Sequence, residues 1–471
     1  MIFYDKTIFL DEFTPVSIYQ KVKKLFPSEI TFLFESVVNS SDGNFSYIIV
    51  GARERVWHKN SKSYYKNEIG EVQDIEKNPF VFLKEYYRNL DQKFYREKSK
   101  ELGIGLIDGF IGNMGYDMVA KFEPVLEEYM DGLQDDFGIA DCDLIRPKMV
   151  LVYSHKSSKL TIITSMQEME PFIEKIENSL KEPFEYTPLK PVELLDDGDF
   201  AHTKEKFFDM ISKSKEMIRS GDVFQILMTN RYTRKAKIDN LSFYRMLRSK
   251  NPSPYLFLLE YEDFCIAGSS PEVMVRLTDN RILLRPIAGT RKRGKTVAKD
   301  IEMEHELTSD PKEIAEHVML IDLGRNDVGR VAKSGTVEVI DKMRVEKYSH
   351  VMHLVSDVEA DLDEQYDMFD LFAATFTAGT MTGAPKIRAM ELIAQFEQLK
   401  RSFYSGSIAY FGFDGNMDSA ITIRTTMIKD DNVIFQAGAG VVADSVPELE
   451  YLEVNNKLAA NISSLEDLSK I

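Results

Sequence analysis

Apolar positions fall into short blocks with two different periods. Ser46 to Val50 (SYIIV) and Met149 to Tyr153 (MVLVY) are compact apolar runs of strand length. His202 to Arg219 places its apolar residues at helical spacing. Asp222 to Met228 (DVFQILM) and Tyr255 to Leu259 (YLFLL) again read as strands. Helical spacing returns over Pro311 to Leu323 and Pro385 to Phe396. Ser407 to Phe413, Ala420 to Thr426 and Val433 to Gln436 then form successive strands, with Asp414-Gly415 as a turn between the first two. Lys181 to Phe200 interrupts this order with three prolines and an acidic cluster, and separates an N-terminal region (1–180) from a second one (201–465). Strand runs punctuated by helices, without a regular βαβ alternation, predict an α+β layered architecture.

Composition narrows the class of function. The 471 residues are 44% hydrophobic and 29% charged, ordinary for a globular chain of two or three domains. A net charge of −17 argues against nucleic acid, which needs a basic surface. It leaves room for a small anion in a locally basic pocket. Two cysteines, Cys142 and Cys265, imply no disulfide framework. No apolar run approaches the roughly 18 residues of a membrane span, and charges break the N-terminus too early for a secretory signal. The expectation is a cytoplasmic protein with no membrane partner.

Several local patterns carry candidate chemistry. In "LLRPIAGTRKRG" an apolar strand runs into the small residues Ala288-Gly289-Thr290, which read as a turn, and then into Arg291, Lys292 and Arg293. Small residues let a ligand approach the backbone, and arginine and lysine attract anions. Asp310-Pro311-Lys312-Glu313 and Ser445-Val446-Pro447-Glu448 both read as capping boxes opening helices. Glu316 lies one turn into the first helix. In the second, Glu450, Glu453 and Lys457 share one face, which an ordinary solvated surface explains equally well. Gly383-Ala384-Pro385-Lys386 opens a third helix whose free N–H groups could hold an anion, yet it lacks the P-loop pattern. His353 sits in an apolar context that suits a core histidine. Arg424 alternates with Thr422 and Thr426 on a strand, and Gly438-Ala439-Gly440 suggests either close backbone approach or a bulge. Taken one at a time, these features leave function open.

In order, they resemble the chorismate-binding enzymes, and within them the component I family of anthranilate synthases. The strings that carry the resemblance run from about Gly221 to Leu458: "GSSPEVMVRL", "RPIAGTRKRG", "DPKEIAEHVMLIDLGRNDVGR", "YSHVMHLVSDVEA", "FTAGTMTGAPKIRAMELI", "YSGSIAYFGFDGNMDSAITIRTTM" and "QAGAGVVADSVPELEYLEVNNK". Weaker matches are "LFESV", "GNFSYIIVG" and "GYDMVAKFE" nearer the N-terminus. The resemblance implies two facing, roughly orthogonal antiparallel sheets with helices outside. It implies that Glu316, Glu450 and Glu453 hold Mg²⁺ or its water against the ring carboxylate of chorismate. Arg424, Tyr404, Thr380, Lys457 and the backbone around Gly438, Ala439 and Gly440 would hold the enolpyruvyl carboxylate, with Ala288, Gly289 and Thr290 facing the ring. His353 would serve in pyruvate elimination.

The related aminodeoxychorismate synthases place a lysine nucleophile where this chain has Ala288. Isochorismate and salicylate synthases place a lysine base where it has Gln225. A site without either amine points to free ammonia. Neither cysteine lies in a glutaminase Gly-x-Cys-x-Gly setting, so a separate glutamine amidotransferase subunit is implied. Strings around Glu35, Ser36, Asn44, Pro254, Tyr255 and Leu256 match the family's tryptophan site. Asn44 stands where a basic residue is common, and Leu256 where methionine is. An aminodeoxychorismate synthase and a catalytically dead tryptophan-binding regulatory subunit are the alternatives.

Overall fold

Two long antiparallel partners, Phe45–Lys59 and Cys142–Ser154, organise the chain. The second (CDLIRPKMVLVYS) is buried on both faces, which explains a near-continuous apolar run rather than strict alternation. The computed structural model describes residues 2–36, 44–348 and 351–471. Val37, Gly43, Ser349 and His350, which fall within the strings quoted above, lie outside the described residues.

Two series of ladders leave this central pair. One runs from Phe45–Lys59 through Thr31–Glu35, Tyr255–Glu260, Cys265–Ser270, Thr425–Lys429 and Asn432–Val441 to Gln225–Lys237. The other runs from Cys142–Ser154 through Gly109–Met114, Ser407–Gly412, Met417–Ile421, Val273–Thr278 and Arg281–Leu284 to Val351–Asp361. Every pairing among these strands is antiparallel, and helices flank them, so the α+β architecture is as the pattern predicts. The chain passes from one series to the other between Ser270 and Val273, and Glu272 sits at that crossing.

Both series mix early and late sequence. Leu256 lies opposite Glu35, and Ile408 opposite Asn113. Residues 181–200 hold only the short strands Glu193–Leu194 and Asp199–Phe200, both paired with Gln225–Lys237. Helix Pro311–Gly329 packs on Ile287–Lys292 and Val351–Asp361, while Pro447–Leu468 packs on Asn432–Val441. No helix among the described residues is long and apolar enough to cross a membrane.

Three local expectations need correction. The strand read over Ala420 to Thr426 is two strands, Met417–Ile421 and Thr425–Lys429, separated by a break in which Arg424 takes φ 50°. Arg424 therefore does not alternate with Thr422 and Thr426 on one face. Asp310 does cap its helix, accepting from the Lys312 N–H at 2.9 Å, but Glu313 closes no capping box because Arg291 holds its carboxylate at 2.7 Å. Ser445 does not cap at all: Val446 occupies the cap position, and the Ser445 hydroxyl accepts from the Val442 N–H at 3.0 Å.

Candidate active site

The small-residue segment is a bulged strand rather than a turn. Ile287–Lys292 pairs with Val351–Asp361, with Ala288 opposite Leu354 and Thr290 opposite His353, so the register slips by one residue at Gly289. Gly289 takes φ 67°, and a Cβ there would lie 2.9 Å from Leu307 Cδ1 and 3.0 Å from Glu313 Oε2. Only glycine fits the extra position without strain. The bulge turns the Gly289 carbonyl towards His353, whose Nδ1 lies 2.9 Å from it and 3.1 Å from Thr290 Oγ1. A carbonyl can only accept, so Nδ1 carries the hydrogen and Nε2 keeps its lone pair. Burial, aided by the charge of Arg424 and opposed by the Gly289 bond, holds the imidazole below its usual 6.5. His353 is thus a neutral imidazole at pH 7.

The basic residues that follow do not form an open anion ring. Arg291 is ion-paired with Glu306, Asp310 and Glu313, and Arg293 with Asp300. Arg424, by contrast, is an uncommitted cation. Its guanidinium has no hydrogen-bond or ion-pair partner among the described residues. It is solvent-accessible, and the protein packed around it lowers its pKa.

Backbone phase decides which groups of Gly438-Ala439-Gly440 point away from the neighbouring strand. Opposite them run Thr229, Met228 and Leu227. The Leu227 N–H goes to Thr382 O at 2.8 Å and the Thr229 N–H to Glu397 Oε1 at 2.9 Å, both away from the ladder. In an antiparallel pair the residues opposite must then point away as well. Gly438 and Gly440 therefore direct their N–H and C=O groups outward. The Gly438 N–H bonds the Tyr404 hydroxyl, and Lys457 Nζ donates to Gly438 O at 2.8 Å. Ala439 turns its polar groups into the ladder and is fully buried, so it lines nothing.

Glu272 has no role in the sequence reading beyond its place in "GSSPEVMVRL". It is 7% exposed and accepts from Thr380 Oγ1 at 3.0 Å. Burial raises its carboxyl to about 7, against the Thr380 bond and the charges of Arg424 and Lys457. The available signal was a lone carboxylate wedged between small polar residues and an apolar strand. Gln225, also buried, lies against Gly440, where a Cβ would come within 2.7 Å of its Nε2.

Glu316 comes from the second turn of Pro311–Gly329 and Glu450 from the first turn of Pro447–Leu468. Burial first, then the charge of Glu313, raises the Glu316 carboxyl above its usual range. Burial also raises Glu450, against a hydrogen bond from Ser445, and the charge of Glu453 adds to both. Glu316 has no hydrogen-bond or ion-pair partner among the described residues. Glu453 is exposed and its carboxylate is 2.7 Å from Lys457 Nζ. Among the described residues no three acidic, histidine or cysteine side chains gather closely enough to hold a metal ion. Two under-neutralised carboxylates nonetheless match Mg²⁺, which commonly takes one or two of them and fills its octahedron with water and ligand oxygens. Glu453 stands outside such a pair.

The residues read as a tryptophan site do converge. Glu35, Ser36, Asn44, Pro254, Tyr255 and Leu256 all line one cavity of about 570 Å³. Glu35 is not free there: Tyr244 donates to it at 2.6 Å and Arg248 at 2.9 and 3.1 Å. Ile287 and Tyr348 line the same cavity, and the Tyr348 ring packs edge-on against His353 at 5.6 Å.

The family of chorismate binding enzymes matches residues 34–463, nearly the whole chain. The chain belongs to the chorismate-binding enzyme family. Anthranilate synthase component 1 of Aquifex aeolicus is 38% identical to this chorismate-binding enzyme over 478 residues, covering 98% of this chain and 93% of the relative. The protein of that name from Thermus thermophilus is 37% identical over 470 residues, covering 98% and 97%. Among solved structures, anthranilate synthase component I from Streptococcus pneumoniae superposes with a TM-score of 0.77 at 32% identity, over 91% of this chain and 94% of that one. The menaquinone-specific isochorismate synthase of Escherichia coli shares the fold, with a TM-score of 0.73 at 17% identity over 98% and 94%. The same framework thus occurs in proteins whose names give different reactions, which puts the weight on individual side chains.

Proposed function

We propose that this chain is the component I subunit of an anthranilate synthase. It takes chorismate and ammonia to anthranilate and pyruvate, with ammonia from a separate glutamine amidotransferase subunit, Mg²⁺ as the metal and tryptophan as feedback inhibitor. The observation that carries the choice of reaction is the absence of an amine both at the nucleophile position and at the base position: Ala288 is a buried methyl group and Gln225 a neutral amide. Relatives named anthranilate synthase component 1 along nearly the full length support the same reading.

Chorismate carries two carboxylates. Arg424 offers an uncommitted charge for the enolpyruvyl one, beside Lys457, the Tyr404 hydroxyl and the outward N–H groups of Gly438 and Gly440. Glu316 and Glu450 would hold Mg²⁺ at the ring carboxylate, where the bound ion would offset its charge and draw electron density from the ring. Glu272, half protonated at about pH 7, is the proton donor: the C4–O bond breaks, water leaves with its proton, and the C2–N bond forms as both ring double bonds shift. The added nitrogen then sheds a proton, which restores the acid. The free Nε2 of His353 accepts the C2 proton as the bond from C3 to the enolpyruvyl oxygen breaks. The enolate released with that bond takes up the proton at carbon to become pyruvate, and the ring becomes aromatic.

External ammonia is consistent with the cysteines. Both are buried, and burial raises their thiols well above the ordinary value, which is opposite to an activated glutaminase nucleophile. The test is incubation with chorismate, Mg²⁺ and ammonium. Blue-fluorescent anthranilate with equimolar pyruvate is expected. A non-aromatic aminodeoxychorismate, or no turnover, would overturn the assignment.

A further inference from the structure

One of the two bonds that set the phase of the Gly438–Gly440 backbone, from the Thr229 N–H, ends on a buried ion pair. Arg401 is 1% exposed and Glu397 2%. Arg401 grips Glu397 with both sides of its fork, Nε to Oε2 at 2.9 Å and Nη2 to Oε1 at 2.7 Å. Two further donors go to backbone, Nη1 to Met381 O at 2.8 Å and Nη2 to Leu227 O at 2.9 Å. Glu397 Oε1 in turn accepts the Thr229 N–H. The face of the guanidinium lies over the Tyr116 ring at 4.8 Å.

Each of those backbone contacts adjoins a group of the carboxylate subsite. Met381 follows Thr380. Leu227 and Thr229 lie opposite Gly440 and Gly438. The Tyr404 N–H donates to the carbonyl of Arg401 itself at 3.1 Å. Three segments far apart in sequence, around 227–229, 380–381 and 401–404, are therefore registered against one another by a single fork-to-fork pair. Stability alone is a poor reason to bury two opposite charges, since desolvation offsets much of their attraction and an apolar pair could fill the space. A planar fork with fixed donor directions supplies geometry that an apolar pair cannot. Neither side chain has been placed on the ligand.

We propose that Arg401 and Glu397 are positioning residues for the enolpyruvyl-carboxylate subsite, holding Thr380, Tyr404, Gly438 and Gly440 in the relative places that receive this anion. The inference rests on the subsite assignment made above, not on the nucleophile. Binding geometry in such sites has to be kept to roughly 0.5 Å, and removal of the fork frees all three segments at once. Arg401→Lys keeps the charge and loses the fork. Glu397→Gln keeps the shape and loses the charge.

The test is calorimetric binding, which does not depend on the product formed. Two ligands are compared: chorismate, and an analogue bearing a neutral methyl ether in place of the enolpyruvyl group. In either variant, affinity for chorismate should fall roughly tenfold or more while affinity for the neutral analogue stays within about twofold of wild type. KM for chorismate should rise by a similar factor with kcat little changed, as expected when uniform binding is lost. Unchanged chorismate affinity in a folded variant, or equal loss for both ligands, would overturn the inference. If Arg401→Lys does not fold, Glu397→Gln carries the comparison. Failure of both to fold would make the pair purely structural and end the proposal. A wild-type chain that binds chorismate but makes no anthranilate would count against the proposed function and leave this comparison intact.

Discussion

Burial holds the Glu272 carboxyl at about 7, above its ordinary 4.5. Between those values the folded chain binds a proton that the unfolded chain has released. Its contribution to stability is therefore complete below 4.5 and is lost as pH rises through 7, amounting to about 3 kcal/mol by pH 8. Glu272→Gln should raise the melting temperature relative to wild type at pH 8 and lose that advantage by pH 5, while turnover collapses. Equal differences at both pH values would show that the carboxyl is not held protonated. His353 adds a lower limit, because it remains neutral to below 6.5. A bell-shaped kcat/KM profile peaking between the two groups is expected, and Glu272→Gln should remove its upper limb. Glu316 and Glu450 make a complementary case. Like charges crowd both, so Glu316→Gln or Glu450→Gln should leave the melting temperature unchanged or higher while abolishing turnover at saturating Mg²⁺. Activity near wild type in either variant would remove that residue from the site.

Among the elements, the bulge at Gly289 links fold to chemistry most directly. Gly289→Ala forces a Cβ against Leu307 and Glu313 at a positive φ, a strain of about 1–3 kcal/mol. The expected result is a lower melting temperature and a kcat reduced at least tenfold, since the carbonyl that fixes the His353 tautomer must move. A variant with normal kcat would detach the bulge from catalysis. This element also marks where sequence reading stops. The apolar blocks SYIIV and MVLVY lie inside Phe45–Lys59 and Cys142–Ser154, and the helical period over Pro311 to Leu323 lies inside Pro311–Gly329. A one-residue slip among Ala288, Gly289 and Thr290 leaves no trace in such a pattern, because small residues carry almost no periodicity. The break around Arg424 was hidden for a related reason. Thr422 and Thr426 suggest alternation, and only the backbone shows φ 50° between them. Ser445 illustrates a third limit: the right residue type preceded a helix, but its hydroxyl was taken by Val442. Glu272 could not be ranked among many glutamates until its burial was known. The family likeness, by contrast, singled out both Tyr404 and the Gly438 backbone, whose contact no local pattern could have shown.

For the molecule as a whole, the cavity at Glu35 and the candidate active site share a wall. Ile287 precedes Ala288 on the bulged strand, and Tyr348 touches both the cavity and His353. Tryptophan held there would act by favouring a conformation that binds chorismate poorly, and chorismate must then weaken tryptophan by the same factor. Titrating tryptophan into the Glu450→Gln variant, with and without chorismate, should give two different affinities, and identical ones would exclude coupling. The ladders that join early and late sequence also have a consequence in time. Gly109–Met114 meets Ser407–Gly412 about 300 residues later, and Thr31–Glu35 meets Tyr255–Glu260 about 220 residues later. At elongation rates of roughly 5–20 residues per second these edges wait roughly 10–60 s for their partners to leave the ribosome. Truncation before residue 407 should accordingly yield aggregated chain rather than a soluble N-terminal piece, as fractionation after expression would reveal. A soluble, folded fragment would mean that the first 180 residues can close their own edges. Until the last strands emerge, the nascent chain depends on whatever shields those edges in the cell.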